Sequence, residues 1–273
     1  MTDAPLVSVI VPTRNSEQYL QDCLRSIRAQ SYANVELIVV DNHSTDATRA
    51  IAAKYADEVL VHGPERSAQV NEGVRHARGS FVYKVDSDFV LERDVIEQCV
   101  RAASEGYDAV VVHNSPDVRA GWIARIRKFE VDMYKYDLAH SSARFVREDV
   151  FERIGGFDET ITAGEDYDFQ NRLNAGGYRT GFVDAEALHL GEPTKLLQHL
   201  KAHHGYGREF ARFTERNGRA QLGFLRPVYL RQWRSFLAHP LRGLAFAAYN
   251  VCKYAAGASG YLQARVADRG RRP

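Results

Sequence analysis

The chain has 273 residues, of which 45% are apolar and 26% charged, a composition that suits a soluble globular protein with a large core. Its net charge of +1 conceals an asymmetry: residues 1–190 hold 21 Lys/Arg against 31 Asp/Glu, and residues 191–273 hold 15 against 4. The basic tail suggests an anionic surface nearby: membrane lipid, nucleic acid or the acidic first part of the chain itself.

Three further features narrow the class. Cys23, Cys99 and Cys252 are far apart and form neither a disulfide framework nor a metal pattern, which fits a reducing cytoplasm. The opening MTDAPLVSVIVP carries an Asp and no basic leader, so no signal peptide is expected. No uncharged apolar run reaches 18 residues, and the nearest, 241–262, is interrupted by Arg242, Asn250 and Lys253, so no spanning helix is expected.

In chain order, LVSVIVP (6–12) reads as a strand buried on both faces. Residues 16–30 follow with helical spacing of Tyr19, Leu20, Cys23, Leu24 and Ile27. VELIVVD (35–41) is a second buried strand. Ser44 and Thr45 predict a capped helix over 44–55, with Asp46 in its first turn. EVLVHG (58–63) is a third strand, 66–78 a helix closed by Gly79, and SFVYKVD (80–86) a fourth strand. This alternation implies a mostly parallel sheet with helices on both faces. The rhythm then changes. DAVVVHN (108–114) predicts a strand, and 120–137 an amphipathic helix with Trp122, Ile126, Phe129 and Met133 on one stripe. GGFDE (155–159) is a turn, 164–178 a helix stopped by Gly176 and Gly177, and 178–185 a late strand. From Pro193 only helices are predicted, over 194–217, 223–238 and 241–267.

Open parallel sheets bind ligands beyond the carboxyl ends of their strands. Those ends carry PTRN (12–15), DNHSTD (41–46), GPERS (63–67) and DSD (86–88). This mixture of acid, amide and Arg suits a nucleotide. The dinucleotide fingerprint GxGxxG and the phosphate loop GxxxxGK[ST] are both absent, which weighs against a dehydrogenase or an NTPase. Asp86 and Asp88, one residue apart, are either a solvated strand end or a site for a hard cation, since Mg²⁺ and Mn²⁺ often bridge carboxylates to substrate phosphates.

The blocks VSVIVPTRN, VELIVVDNHSTDAT, ERSAQVNEGVRHARGSFVYKVDSD, GGFDE and GEDYDFQNRL, in this order, resemble family-2 glycosyltransferases of the GT-A fold over about residues 6–190. The resemblance implies an α/β, Rossmann-like catalytic domain over 1–190, with a nucleotide-sugar half (about 1–90) and an acceptor half (about 91–190). A helical extension (191–273) would follow. It implies that Pro12, Thr13, Asn15 and Asp41 line the base and ribose, with Arg66 and Asn71 on a segment closing over the nucleotide. Asp86 and Asp88 would be the DxD pair, Asp88 the direct ligand of Mn²⁺ or Mg²⁺ and Asp86 at the ribose or the metal's water shell. Glu165 and Asp166 match the family's ED motif, in which the Asp is the general base of an inverting displacement at C1 of the sugar. His189 is expected near the metal or the diphosphate, His204 and Arg208 near the diphosphate, and Trp122 and Arg144 near the acceptor.

The expected reaction is therefore transfer of a sugar from a nucleoside diphosphate donor, UDP or GDP, to a hydroxyl of a glycan or lipid-linked acceptor in envelope polysaccharide or glycolipid assembly. A polyprenyl-phosphate sugar synthase, with phosphate as acceptor, is the near alternative, and an inactive glycan-binding module the alternative of another class. A nucleotidyltransferase is disfavoured by the missing glycine-rich loop after the first strand. Aromatic and basic residues mingle over 223–267, among them Phe224, Arg226, Trp233, Arg234 and Arg242, as in an interface-lying segment. The expected location is the cytoplasm, peripheral at the inner face of the cell membrane. No nucleic-acid-binding motif accompanies the basic tail.

Overall fold

The computed structural model describes residues 4–161, 164–217 and 227–269. The first half runs β1 (Val7–Thr13), α1 (Leu20–Arg28), β2 (Val35–Asp41), α2 (Thr48–Ala52), β3 (Glu58–Val61), α3 (Arg66–His76) and β4 (Phe81–Lys84). Next come β5 (Phe89–Leu91), α4 (Val95–Ser104), β6 (Ala109–Pro116) and α5 (Trp122–Asp132). β7 (Phe145–Arg147), α6 (Glu148–Arg153), α7 (Glu165–Ala175) and β8 (Thr180–His189) follow, and then α8 (Leu196–Asn217), α9 (Pro227–Arg231), α10 (Trp233–Ala238) and α11 (Pro240–Arg269). The chain divides into two compact units, residues 1–115 with 138–191, and residues 116–137 with 192–273. Segment 116–137, read from sequence as part of the 91–190 half, thus belongs with the tail.

The first unit is built on an eight-stranded sheet of order β3-β2-β1-β4-β7-β6-β8-β5. β1, β2, β3 and β4 pair in parallel, with Val9 opposite Leu37 and Thr13 opposite Asp41. β7 joins β4 antiparallel, β6 joins β7 antiparallel, and β5 joins β8 antiparallel. Alternation along β1 sends Val7, Val9 and Val11 to one core and Ile10 to the other. The first core packs Leu20, Leu24 and Ile27 of α1 with Ile96 and Cys99 of α4; the second packs Val70 and Val74 of α3 with Phe169 and Leu173 of α7. Burial on both faces explains why these strands read as unbroken apolar runs. Pro12 is tolerated in this central strand because pairing with β4 stops at Ile10 opposite Lys84.

Several expectations need correction. The helix predicted over 44–55 covers only Thr48–Ala52, and Ser44 is not its cap. The Ser44 hydroxyl instead accepts the Asn15 amide at 2.8 Å, and the Thr45 amide donates to Asn15 Oδ1 at 2.9 Å. Both residues therefore tie two strand-end loops together. The late strand runs on to His189. β5, β7, α4 and α6 were not predicted. Residues 223–226 of the helix predicted over 223–238, with Phe224 and Arg226, lie outside the described residues.

The second unit gathers α5, α8, α10 and α11 around Ile126, Met133, Phe246 and Tyr249, with Phe129, Tyr229 and Phe236 against them. The predicted stripe of α5 is thereby split: Ile126 and Met133 are buried, whereas Trp122, the first residue of the helix, is 58% exposed. α8 and α11 touch backbone to backbone. A Cβ on Gly207 would collide with the Gly257 carbonyl, and one on Gly260 with that of His204. Inside the unit, buried Glu130 accepts Arg127 at 2.9 Å, the Tyr229 hydroxyl at 3.0 Å and Lys253 Nζ. Arg127 reaches on to Glu192 at 3.5 Å. Removing one member of such a pair leaves a buried charge poorly compensated. Lys253→Met is expected to lower the unfolding free energy of the chain by about 3 kcal/mol, measured by urea denaturation. Lys253→Met with Glu130→Gln should recover a large part of that loss.

Candidate active site

The carboxyl ends of β1 and β2 form one wall. Gln69 of α3 binds them together, its amide donating to the carbonyls of Thr13 at 3.0 Å and Val40 at 2.6 Å. Asp41 is fully buried; its Oδ2 accepts the Ser44 amide at 2.9 Å. Thr13 Oγ1 and Asp41 Oδ1 are buried without a hydrogen-bond partner. Two unsatisfied polar atoms on residues in register at a strand end are costly unless a ligand or water completes them. Asn15 adopts a left-handed backbone, φ 48°, in the loop that follows. Ser16 Oγ lies 2.9 Å from Ser87 Oγ, which brings this wall to the DSD segment.

The second wall is an ion cluster. Arg144 Nη1 donates to Asp86 Oδ2 at 2.6 Å, and Arg144 Nη2 lies 3.6 Å from Asp166 Oδ2. Lys84 Nζ, at the buried end of β4, donates to Asp166 Oδ1 at 2.6 Å. Arg66, at the start of α3, lies 3.5 Å from Asp86 Oδ1 and 3.7 Å from Glu165 Oε1. Phe157 of the GGFDE turn stacks on Phe169 and lies 5.0 Å beneath Lys84 Nζ. Ser142 Oγ holds the Asp166 carbonyl at 2.6 Å.

These charges set each other's protonation. Burial alone would raise the pKa of Asp86, but Arg144, Lys84 and Arg66 overcome it and hold the carboxyl far below the usual range. Burial likewise opposes ionisation of Asp166, and Lys84 and Arg144 outweigh it, so its pKa is lowered too. Both side chains are carboxylates at neutral pH.

Asp88 stands apart. Its Oδ2 lies 3.0 Å from Nε2 of His189, the last residue of β8. Its carbonyl accepts the Leu190 amide at 2.9 Å. A Cβ on Gly191 would overlap the Asp88 carboxylate, so a larger residue there would push that side chain out of its present position. A carboxylate oxygen and an imidazole nitrogen side by side form a donor pair suited to Mn²⁺ and acceptable to Mg²⁺.

The sequence-derived residues are thus partly united. Asp86, Glu165, Asp166, Arg66 and Arg144 share one cluster. Arg144, expected at the acceptor, has its guanidinium turned to Asp86 and Asp166, because a buried cation requires carboxylates. Asn71, expected over the nucleotide, is committed to the GGFDE turn: it donates to the Phe157 carbonyl at 2.8 Å and to Glu159 at 2.9 Å, and accepts the Phe157 amide at 2.9 Å. His204 lies within the second unit with both ring nitrogens engaged, at 2.9 Å from Ser259 Oγ and 2.9 Å from Gln263 Oε1 of α11. Arg208 is exposed on α8, and Trp122 belongs to the second unit. Lys84 was not assigned a role from sequence. Its signal was a cation inside the apolar run FVYKV, which cannot be buried without an acidic partner.

The sheet with paired acids at its strand ends is the architecture of GT-A glycosyltransferases, and the comparisons assign the chain to that class. The glycosyl transferase family 2 profile matches residues 8–155, more than half of the chain, and the chain belongs to that family. The match ends before Asp166 and His189. Among curated relatives, the chain is 36% identical over 115 residues to the putative glycosyltransferase EpsH of Bacillus subtilis, a stretch that is 40% of this chain and 33% of that protein. It is 28% identical over 207 residues to the glycosyltransferase AglE of Haloferax volcanii, 69% of this chain and 68% of the relative. With the succinoglycan biosynthesis protein ExoA of Rhizobium meliloti it shares 26% over 222 residues, 73% and 67% of the two chains. For the first relatives the matched stretch spans only a third to under two thirds of their length. Two solved structures share the fold. The mannosyltransferase PcManGT of Pyrobaculum calidifontis, in complex with GDP-Man and Mn²⁺, aligns with a TM-score of 0.62 at 21% identity, covering 93% of this chain and 74% of that one. S. aureus TarS in complex with UDP-GlcNAc aligns with a TM-score of 0.56 at 22% identity, covering 76% and 65%.

The cluster has a pH signature. Asp86 and Asp166 have depressed pKa values in the folded state, so their stabilisation is complete above the unfolded value of about 3.9 and is lost as pH falls through the folded values. Lys84→Met lifts the Asp166 pKa toward the unfolded value. The variant is expected to be about 3 kcal/mol less stable at pH 7, with the gap to wild type narrowing below about pH 4, as measured by denaturant titrations across pH.

Proposed function

We propose that the chain is a metal-dependent, inverting glycosyltransferase. It moves a sugar from a nucleoside diphosphate donor to a hydroxyl of a glycan or lipid-linked acceptor, in envelope polysaccharide or glycolipid assembly. The observation that carries this reading is the split between two acid sites: Asp88 faces His189, free of the cation clamp, while Asp166 is held ionised by Lys84 and Arg144. The names of ExoA, TarS and PcManGT support the polysaccharide context, the sugar nucleotide and the metal respectively. In this reading the first unit catalyses, with the donor half over 1–90 and the acceptor half over 91–115 with 138–190. The basic tail from 191 contacts the cytoplasmic face of the membrane.

Thr13 and Asp41 take the base and ribose, with Pro12 and Asn15 shaping the wall. Arg66, half exposed, reaches toward the donor phosphates. Asp88 and His189 would hold the cation. Asp86, whose oxygens face Arg144 and Arg66, is a clamp on Arg144 rather than a metal ligand. When bound, a divalent cation supplies positive charge to the departing diphosphate. Asp166 accepts the proton of the acceptor hydroxyl as that oxygen bonds to C1 of the sugar. The bond from C1 to the phosphate oxygen breaks on the opposite face, and the diphosphate leaves with the electron pair. Lys84 and Arg144 keep Asp166 deprotonated and aimed, at some cost in basicity.

That lowered basicity also favours a second reading, in which the attacking group is already an anionic phosphate and needs no base. Asp166→Asn discriminates between them. Transfer to hydroxyl acceptors should fall by at least about 10²-fold if Asp166 takes the proton, whereas transfer to a polyprenyl phosphate that is undiminished by the substitution assigns a phosphate acceptor.

Titration calorimetry with UDP, GDP and dTDP, each with and without Mn²⁺, tests the donor site. One nucleotide is expected to bind in a metal-dependent way that Asp88→Ala abolishes. Folded protein that binds none of them would overturn the assignment and favour a glycan-binding module without activity. Gly191→Ala is expected to displace the Asp88 carboxylate and weaken metal-dependent binding about tenfold, roughly the effect of losing one charged contact, with little change in thermal stability.

A further inference from the structure

α11 has two unlike faces. One packs Phe246, Tyr249, Asn250, Lys253 and Gly260 into the second unit. The other presents Leu241, Leu244, Val251, Leu262 and Val266, each 62–82% exposed, with exposed Ala248 and Ala255 filling the intervening turns. Spacings of three and four residues place these side chains on one stripe of the helix. The stripe runs about 37 Å at 1.5 Å per residue.

Its charge pattern is unusual for a face in water. Between Arg242 and Arg265 the only charged residue is Lys253, which is buried against Glu130. No charged side chain breaks the exposed stripe over those 22 residues. Just before it, α10 exposes Trp233 and Leu237, with the Arg234 guanidinium over the Trp233 ring at 5.6 Å. Arg231, Arg234 and Arg242 are exposed beside them. No helix among the described residues is long and apolar enough to cross a membrane.

We infer that the α10–α11 face is a lipid-docking surface that lies along an anionic bilayer, with the stripe among the acyl chains and the arginines at the phosphate headgroups. This deepens the membrane contact proposed above and rests on it. An apolar face edged by basic residues, with an interfacial Trp, is the pattern of a helix lying in the membrane surface. The excess of 15 basic over 4 acidic residues in 191–273 complements anionic lipid. A second copy of the chain is a poorer occupant. Parallel pairing of α11 would set Arg242 on Arg242, and antiparallel pairing would set Arg242 near Arg265. The only acid in the helix is Asp268. Like charges would meet in either arrangement.

The full chain should be sedimented with extruded vesicles of phosphatidylcholine, with and without phosphatidylglycerol, and nucleotide binding measured on the same samples. Binding is expected to phosphatidylglycerol vesicles, to weaken several-fold in about 1 M salt, and to fall at least about tenfold with Leu244→Glu and Val251→Glu together. Leu241→Gln with Leu262→Gln should act in the same direction, and both variants should keep wild-type nucleotide affinity and thermal stability. Sedimentation with neither vesicle, or equal sedimentation of wild type and both variants, overturns the inference. So does a dimer by light scattering that the same substitutions dissociate, which assigns the face to a second copy. Loss of nucleotide binding in wild type would sink the donor reading alone, leaving the vesicle result to stand or fall by itself.

Discussion

The first unit depends on burying Lys84. A lysine at the interior end of a parallel strand cannot remain charged without a carboxylate, and none is available from its own strand except Asp86 two residues on. The structure brings Asp166 from the start of α7, and Arg144 then bridges Asp166 to Asp86. Arg66 extends the chain of charges to Glu165. Four segments must meet for all of these charges to be compensated. Buried ion pairs add little net stability, but breaking one is expensive, so the cluster acts chiefly to select one arrangement. Three cations meet three carboxylates: Lys84, Arg144 and Arg66 against Asp86, Glu165 and Asp166. Asp88 lies outside this balance. Its side-chain neighbour is His189 instead.

The opposite wall solves a different problem. β1 and β2 end side by side, and the chain must turn away from both without covering their ends. Asn15 in a left-handed conformation, accepted by Ser44 and accepting Thr45, makes the two loops brace each other. Gln69 takes the last carbonyls from behind. The backbone is thereby satisfied and the loops are held, while Thr13 Oγ1 and Asp41 Oδ1 are left without partners. Polar atoms left over in an otherwise complete network are where a ligand gains most from binding.

Much of this was legible in the sequence, and the limits have physical causes. The long apolar runs of β1, β2 and β6 and the acids at strand ends are strong local signals, and they singled out Asp41, Asp86 and Asp88 as candidates, while Asp166 was singled out only by the family resemblance. β5 and β7 have three residues each and carry too little pattern to read. They exist because β8 and β4 supply partners, a tertiary effect. Ser44 and Thr45 look like a helix cap because hydroxyls serve equally well at caps and between loops; only the neighbouring Asn15 decides. The contacts of Asn71 and His204 were not legible for a related reason. An amide or an imidazole shows its chemistry in the sequence but not its partner. The partners here are a turn 86 residues away and a helix more than 50 residues away. Lys84 was readable in principle, since a lone cation in a buried strand demands an acid.

The second unit combines an apolar core with a buried ionic group and an exposed apolar face. Its interior holds Glu130, Arg127, Lys253, Glu192 and His199, while α10 and α11 expose Trp233, Leu237, Leu241, Leu244 and Val251. Burial pushes the pKa of His203 down to about 4, with Lys253 and Arg127 adding to the effect, so this ring is neutral beside the ionic group. Removing one of these charges would leave its partner buried and uncompensated. Phe246 and Tyr249 of α11 join the apolar core, while Leu241, Leu244, Val251, Leu262 and Val266 of the same helix are left on the outside. In water alone that distribution forfeits the hydrophobic contribution of five large side chains. Beside a medium that is apolar on one side, the same distribution is favourable twice over: the charges are sequestered from hydrocarbon, and the stripe is given to it.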